Sequence, residues 1–330
     1  MSLRVLISAP YILPVIKRFL PIFDDLGIEV VLAEVEEHLS EDELLAYAGS
    51  VDGVICGDDR FTAAVLKAAA PRLRVISKWG TGIDSIDTEA ASELGIQVLN
   101  TPGAFTDPVA DSVLGYILAF ARSQPWMSRQ MKEGEWEKLP GRALSECTLG
   151  VVGVGKIGKA VLRRAKAFEM RLLGNDIVEI DSEFVFEVGV QMLDLPDLLK
   201  KADFISINCD LNSTSKGLID REAFKLIQPH AVLINTARGS IVVERALVEA
   251  LQSGTIAGAA LDVFQEEPLP PESPMRAMEN VLLAPHNANS SPGAWERVHR
   301  NTLRNLIIGL GLSVPSELDE MESRRSADSN

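Results

Sequence analysis

The segment Leu149-Gly-Val-Val-Gly-Val-Gly-Lys-Ile-Gly158 is a short apolar run that ends in three closely spaced glycines. The apolar run predicts a buried strand, and the spacing of apolar residues over 161–168 predicts a helix after it. Gly153, Gly155 and Gly158 allow a tight turn between the two and leave backbone amides at the start of the helix. The segment therefore predicts the first strand, turn and helix of a doubly wound α/β domain.

An acidic residue follows these glycines at the distance that a dinucleotide site requires. Asp176 comes directly after the next apolar run, residues 171–175, and lies 18 residues after Gly158. A carboxylate at this point accepts hydrogen bonds from the adenosine ribose hydroxyls and repels a 2′-phosphate. Its neighbours Ile177 and Val178 provide no arginine for such a phosphate, so the sequence favours NAD over NADP as the cofactor.

Short β-branched runs alternate with helical patterns along most of the chain, and these runs fall into two series. The first series comprises residues 4–7, 28–32, 53–56 and 74–77. The second comprises residues 149–152, 171–175, 204–207, 231–234, 257–261 and 281–284. Helices are predicted over 41–48, 62–70, 109–122 and 295–309. This alternation predicts βαβ units and a parallel sheet for each series, and therefore two α/β domains.

Two turn-rich segments mark the expected crossings between these domains. Residues 100–104 precede a long helical pattern, and residues 290–293 precede the last one. We therefore expect a discontinuous substrate domain, 1–101 with 291–330, and a nucleotide-binding domain, 102–290, separated by a cleft. The polar, acidic tail from about residue 315 has little to bury and is expected to be mobile.

Composition and charge limit the possible partners. Of the 330 residues, 46% are hydrophobic and 24% are charged, which suits a large globular core. The formal net charge of −15 opposes binding to nucleic-acid backbones and anionic lipid, so neither nucleic acid nor membrane is an expected partner. An anionic substrate would therefore need a local cationic pocket.

Cysteine usage and the amino-terminal segment bear on the cellular location. Cys56, Cys147 and Cys209 are scattered, odd in number and without CxxC spacing, which indicates neither a disulfide framework nor a zinc site. No metal is expected. Prolines and basic residues interrupt the first 23 residues before a signal-peptide core or membrane helix could form. A cytoplasmic location is expected.

Five motifs in a fixed order resemble one known family. They are Lys78-Trp-Gly-Thr-Gly-Ile-Asp-Ser-Ile-Asp87, the glycine segment, Ile234-Asn-Thr-Ala-Arg-Gly-Ser240, Ala260-Leu-Asp-Val-Phe-Gln-Glu-Glu-Pro268 and Ala284-Pro-His286. Over roughly residues 3–310 the chain resembles the D-isomer-specific 2-hydroxyacid dehydrogenases, most closely the phosphoglycerate dehydrogenase-like branch. The resemblance implies a flavodoxin-like substrate domain and a Rossmann NAD-binding domain. It also implies hydride transfer between NAD and carbon 2 of a small D-2-hydroxy acid, and a homodimer.

The same resemblance implies a catalytic trio. Arg238 would grip the substrate carboxylate through its planar fork, and His286 would exchange the hydroxyl proton. Glu267 would pair with that histidine and fix its ring, with the adjacent Glu266 as the solvated alternative. The other histidines are interpreted as structural or surface residues: His38, His230 and His299.

Further contacts follow from the resemblance alone. Asp262 matches the residue that contacts the nicotinamide carboxamide, and it could equally cap the end of its strand; both roles are compatible. Thr81 and Gly82, with exposed amides nearby, would hold the substrate carboxylate opposite Arg238. Positions that line the cofactor in similar proteins are Lys156, Ile157, Cys209, Thr236 and Ala237, in addition to the glycines and Asp176.

Two departures from the family pattern leave the substrate open. After His286 the family usually has small residues with glycine, whereas this chain has Asn287-Ala-Asn289. Phosphoglycerate-directed relatives tend to place an arginine where this chain has Gly57-Asp-Asp59, and two acids would repel a phosphate. Glyoxylate, hydroxypyruvate and 3-phosphoglycerate all remain candidates. A different class, an NAD-sensing corepressor-like scaffold, is the alternative to an enzyme.

Overall fold

The computed structural model describes residues 2–318, which form two compact units. One unit combines Met1–Phe105 with Ser291–Asn330, and the other is Thr106–Ser290. The strands are β1 (Leu3–Ile7), β2 (Ile28–Leu32), β3 (Gly53–Cys56), β4 (Val75–Lys78), β5 (Gln97–Leu99), β6 (Thr148–Val152), β7 (Arg171–Asn175), β8 (Gln191–Met192), β9 (Phe204–Ile207), β10 (Val232–Asn235), β11 (Gly258–Leu261) and β12 (Val281–Leu283).

Helices connect successive strands in both units. They are α1 (Leu20–Asp25), α2 (Glu41–Leu45), α3 (Ala63–Ala69), α4 (Thr88–Glu93), α5 (Thr106–Ala121), α6 (Gln124–Glu133), α7 (Lys156–Ala167), α8 (Ser182–Val188), α9 (Leu195–Lys201), α10 (Arg221–Phe224), α11 (Glu244–Gln252) and α12 (Pro292–Gly309). Short 3-10 turns lie at Leu13–Arg18, Leu144–Glu146, Gly239–Ile241, Pro274–Ala277 and Ser316–Leu318.

Each unit is built on one parallel sheet, which confirms the predicted fold class. The first unit has the strand order β2-β1-β3-β4-β5, the order of flavodoxin-like domains. The second has the order β12-β11-β10-β9-β6-β7-β8, with all neighbouring strands parallel. In this second sheet, β6, β7 and β8 follow one another towards one edge. The chain then returns to the other side of β6, and β9, β10, β11 and β12 follow one another towards the opposite edge. The switch point of the sheet, where ligands bind in such folds, therefore lies between β6 and β9.

Apolar side chains on both faces bury the second sheet. Along β6 the residues alternate, so that Leu149 and Val151 face a cluster built with α5 and α7, whereas Val152 faces a cluster built with α9 and α11. A strand covered on both faces must be apolar throughout, and every residue of β6 is buried. The glycine turn therefore follows a strand that is buried along its whole length.

In the first unit, α12 is tied to the sheet by hydrogen bonds to the end of β4. The Ser77 hydroxyl donates to the Thr302 carbonyl at 2.7 Å. The Trp79 indole N–H donates to Nδ1 of the buried His299 at 3.0 Å, so this histidine is structural. Burial lowers the pKa of His299 to about 4, with the Arg18 charge acting in the same direction and Glu296 against it. His299 is therefore neutral in the folded protein at pH 7.

The start of the predicted mobile tail is ordered. Ser316–Leu318 forms a 3-10 turn in which Leu318 is buried, and Arg300 donates a hydrogen bond to the Glu317 carbonyl. The remainder of that prediction, residues 319–330, lies outside the described residues. Within residues 2–318, no helix has both the length and the apolar character that a bilayer crossing requires.

The buried His299 predicts acid sensitivity of the first unit. Because the pKa of His299 is lower in the folded than in the unfolded chain, the unfolded chain binds the extra proton, and stability falls as pH drops from about 6.5 towards 4. The His299→Gln variant keeps a hydrogen-bond acceptor but does not titrate. Between pH 7 and pH 5 we expect its free energy of unfolding to fall by about 2 kcal/mol less than that of the natural chain. Urea unfolding at the two pH values measures the difference, and equal losses would contradict the assignment.

Candidate functional site

The glycine turn after β6 is dictated partly by the packing of the protein itself. Gly153 has φ +91°, and a Cβ atom on it would lie 2.4 Å from the backbone nitrogen of Cys209. A Cβ atom on Gly158 would lie 2.1 Å from the carbonyl oxygen of Gly153. Only glycine fits at these two positions, because backbone atoms cannot move aside as a flexible side chain would. The turn therefore brings the end of β6 into close contact with the segment after β9.

Gly155, the N-cap of α7, is different. Its φ of −73° suits any residue, and no atom of residues 2–318 lies within 4 Å of the place where its Cβ would be. The protein therefore does not need glycine here for its own packing. The space lies in front of the amides at the start of a twelve-residue helix, where an anion is favoured. This geometry fits the pyrophosphate of a dinucleotide.

Asp176 is held beside this turn by two backbone hydrogen bonds. The Val154 amide donates to Oδ2 at 2.7 Å, and the Val178 amide donates to Oδ1 at 3.1 Å. Each carboxylate oxygen has a second lone pair, so the group retains acceptor capacity for a ribose hydroxyl. Ile177 and Val178 are exposed beside it.

Two buried polar atoms at the switch point lack a partner in the protein. Asn208 Oδ1 follows β9 and Thr236 Oγ1 follows β10, and neither has a hydrogen-bond partner within residues 2–318. Buried polar atoms are nearly always satisfied, so these two indicate where a ligand completes the bonding. Thr236 was expected from the sequence. Asn208 was not, and its only signal is its place directly after a buried strand.

The other expected cofactor-lining residues occupy the same edge of the sheet. Lys156 and Ile157 are the first two residues of α7, and the Ala237 amide donates to Asn235 Oδ1 at 3.1 Å. Cys209 packs its backbone against Gly153. Burial raises the pKa of Cys209 to about 11, with the charges of Asp210 and Asp176 acting in the same direction. Its thiol is therefore neutral at pH 7.

A histidine and a carboxylate meet beyond β11 and β12. His286 Nδ1 lies 2.8 Å from Glu267 Oε2, and the Phe264 amide donates to Glu267 Oε1 at 2.9 Å. Both side chains are partly buried, whereas the neighbouring Glu266 is exposed. The carboxylate that faces the imidazole is therefore that of Glu267, and its second oxygen is fixed by the backbone.

Asp262 holds the segment that carries His286. It is only 1% exposed; its carbonyl accepts from the His286 amide at 2.8 Å, and its carboxylate accepts from the amides of Asn287 at 2.8 Å and Ala288 at 2.9 Å. Burial raises the pKa of Asp262, while these two bonds to the carboxylate oppose the rise. His286 has φ +52°, a conformation that costs on the order of 1 kcal/mol for a residue other than glycine. The three bonds stabilise that conformation.

Arg238 begins the 3-10 turn Gly239–Ile241, directly after β10. Its carbonyl accepts from Asn235 Nδ2 at 2.9 Å, and its own guanidinium donates to the Ala237 carbonyl at 2.9 Å. A Cβ atom on Gly239 would lie 2.0 Å from the Phe264 carbonyl carbon, so the Arg238 turn packs directly against the segment that leads to Glu267.

Parallel strands explain why these residues share one edge. The glycine turn, Asp176, Asn208, Arg238, Asp262 and His286 each follow the carboxyl end of a strand of the second sheet. The expected substrate residue Thr81 lies in the first unit, where its hydroxyl donates to the Thr101 carbonyl at 3.2 Å and its carbonyl accepts from Asn100 Nδ2 at 2.6 Å. Gly82 follows it after β4. Each unit carries its expected residues at the carboxyl edge of its own sheet.

A glycine turn at the start of a helix, an acid beside it and a histidine–carboxylate pair on one doubly wound sheet are typical of a dinucleotide-dependent dehydrogenase. Residues 114–288 match the family model of the D-isomer specific 2-hydroxyacid dehydrogenase NAD-binding domain. The chain belongs to the D-isomer specific 2-hydroxyacid dehydrogenase family, and its cofactor is NAD.

Relatives and a solved structure agree with this assignment. The chain is 40% identical to the glyoxylate reductase of Thermofilum pendens over 86% of its own length and 85% of that protein. It is 35% identical to the hydroxypyruvate reductase of Thermotoga maritima, over 85% and 92%. It is 39% identical to the D-3-phosphoglycerate dehydrogenase of Methanocaldococcus jannaschii, over 81% of this chain but only 51% of that protein. The D-lactate dehydrogenase of Aquifex aeolicus, solved with NAD and lactic acid, superposes with a TM-score of 0.81 at 26% identity, over 91% of this chain and 93% of that one.

The open space at Gly155 makes a clean test of cofactor placement. We expect Gly155→Ala to fold normally and to weaken NAD binding by about tenfold, because the new methyl group would occupy the space in front of the α7 amides. Gly115→Ala is the matched control, since Gly115 also has open space, within α5 and away from the turn. Calorimetric titration with NAD measures both. Equal affinity of the Gly155→Ala variant and the natural chain would contradict the pyrophosphate placement.

Proposed function

We propose that the chain reduces a small 2-oxo acid with NADH, either glyoxylate to glycolate or hydroxypyruvate to D-glycerate. The observation that carries the proposal is the His286–Glu267 pair at 2.8 Å, on the same sheet edge as the glycine turn. Two relatives matched over most of their length are named glyoxylate reductase and hydroxypyruvate reductase. The D-3-phosphoglycerate dehydrogenase relative is matched over 51% of its length. 3-Phosphoglycerate is the less favoured substrate because the acids Asp58 and Asp59 would repel its phosphate.

Arg238 recognises the charge of the substrate, and His286 transfers the proton. NADH, which the glycine turn and Asp176 would hold, would supply the hydride for carbon 2 of the oxo acid. The Arg238 guanidinium binds the substrate carboxylate through two parallel hydrogen bonds and polarises the adjacent carbonyl. With Nδ1 facing Glu267, Nε2 of His286 donates the proton to the developing alkoxide, and the carboxylate stabilises the orientation of the ring. In the reverse direction the same nitrogen accepts the hydroxyl proton.

The substrate domain contributes recognition of the acid group. We assign residues 1–101 and 291–330 to it and residues 102–290 to the NAD-binding domain. Thr81 and Gly82 lie in the loop after β4, where backbone amides are available to an anionic group. Asp262 acts mainly by positioning His286, and a contact with the nicotinamide carboxamide is compatible with its remaining lone pairs. We also place the protein in the cytoplasm, where its three free cysteines would stay reduced.

Replacing the histidine tests the mechanism. We expect His286→Asn to lower kcat for glyoxylate and hydroxypyruvate by about 100-fold or more, because general acid–base catalysis is lost, and to leave NAD affinity unchanged. His230→Asn is the matched control: its imidazole contacts Asp203 at 2.7 Å, next to the amino end of β10. Oxidation of NADH is followed by absorbance over a panel of 2-oxo acids. Full activity of the His286→Asn variant would refute the proton-transfer role, and a natural chain inactive on both acids would refute the substrate assignment.

We further propose a homodimer formed through the second unit. No residue of α6 is buried; Met131 on this helix is 51% exposed, and Trp136 beyond its end is 86% exposed. Large apolar side chains left in water on one segment are typical of an interface, and tryptophan often dominates its binding energy. A second copy of the chain, the arrangement that the family resemblance implies, would cover them.

A charged residue in place of Trp136 tests this interface. We expect Trp136→Glu to convert the dimer to a monomer, because the substitution removes an apolar anchor and places a charge at the interface. Phe186→Glu is the control, since Phe186 on α8 is equally exposed but lies outside α6 and the segment after it. Sedimentation velocity gives the mass of each variant. A monomeric natural chain, or a dimer that only Phe186→Glu dissociates, would contradict the proposal.

A further inference from the structure

The carboxyl edge of the first sheet contains a buried cation. Lys78, the last residue of β4, has a side chain that is 3% exposed. Its ammonium donates to the Gly57 carbonyl at 2.6 Å and to Asp58 Oδ1 at 2.7 Å. Asp58 itself is half-exposed, so the ion pair has its acidic member towards solvent and its basic member inside.

A second carboxylate lies next to this pair. Asp59 is fully buried and accepts hydrogen bonds from the Leu39 amide, the Ser8 hydroxyl and the Gly57 amide. Burial raises the pKa of Asp59, while these bonds and the charge of Lys78 act in the opposite direction. The single positive charge of Lys78 is therefore shared with two acids.

The surroundings of the pair belong to the part of the first unit that is expected to meet the substrate. Trp79 and the Thr81–Gly82 loop follow Lys78 directly. The Trp79 ring lies 5.2 Å from that of Tyr11, after β1, and 5.9 Å from that of Trp295, in α12. Trp79 is buried, so the edge presents the partly exposed rings of Tyr11 and Trp295 and the carboxylate of Asp58. Arg60 is exposed two residues further along the chain, and its positive charge acts on a nearby anion in the opposite direction to Asp58.

We propose that Asp58, by neutralising Lys78, makes the protein select 2-oxo acids that carry no second negative charge. The proposal rests on the proposed function, because it concerns the distal end of the same substrate. An acid with a phosphate or carboxylate on its side chain meets the exposed Asp58 carboxylate and finds the Lys78 ammonium already bonded. Asp58 is thus a specificity-determining residue, and Lys78 is the buried counter-charge bonded to it.

Two substrates that differ only by a phosphate isolate this effect. We expect the natural chain to prefer hydroxypyruvate over its 3-phosphate ester by a large ratio of kcat/KM. Asp58→Asn should lower that ratio by about fivefold to tenfold, because one negative charge close to the phosphate is removed. In the double variant Asp58→Asn/Lys78→Met, the ratio should return towards that of the natural chain. Asp52→Asn is the control: Asp52 pairs with Arg72 at the opposite end of β3, and its loss should leave the ratio unchanged.

The outcomes separate this inference from the proposed function. An equal kcat/KM of the natural chain for both substrates, or an unchanged ratio in a folded Asp58→Asn variant, would overturn the role of Asp58. Calorimetric binding of D-glycerate and 3-phospho-D-glycerate in the presence of NADH, a pairing that cannot transfer a hydride, measures the charge preference without turnover. A preference seen in binding but with no turnover of any 2-oxo acid would overturn the proposed function and support the charge selection.

Discussion

The carboxylate of Asp262 is the constraint on which the site depends. It ends a fully buried strand and binds the amides of the segment after β12, so the position of His286 is fixed by the sheet rather than by a free loop. The imidazole then meets a carboxylate whose second oxygen is itself bonded to the backbone. A ring held within a few tenths of an ångström by such bonds needs little reorganisation when a proton moves.

Parallel strand direction assembles the remaining parts. Residues far apart in sequence, from the glycine turn to His286, follow carboxyl ends that all lie on one edge of the second sheet. The glycines divide into two kinds within this edge. Gly153 and Gly158 serve packing, and Gly155 leaves room that the protein itself does not use. Fold stability and ligand approach therefore depend on different glycines of one motif.

Sequence patterns predicted the central elements well and the peripheral ones poorly. The bounds of β3 and β9 agree with the apolar runs, because strands buried on both faces must be continuously apolar. The bounds of β7 and of the edge strand β2 agree with their runs as well. The edge strands β5 and β8 are two or three residues long and partly polar, so no run marked them. The sequence alone could not tell which of the adjacent residues Glu266 and Glu267 faces His286, and the structure shows that it is Glu267. The Lys78–Asp58 pair was equally hidden, since a lysine that ends a strand usually reaches water.

The protonated thiol of Cys209 has a consequence for chemical durability. Oxidants and alkylating agents attack the thiolate, and a thiol with a pKa of about 11 is almost entirely protonated in a neutral solution. The backbone of Cys209 can thus lie against the glycine turn while its thiol, packed against the apolar cluster of the second sheet, stays in the form that reacts slowly with peroxide.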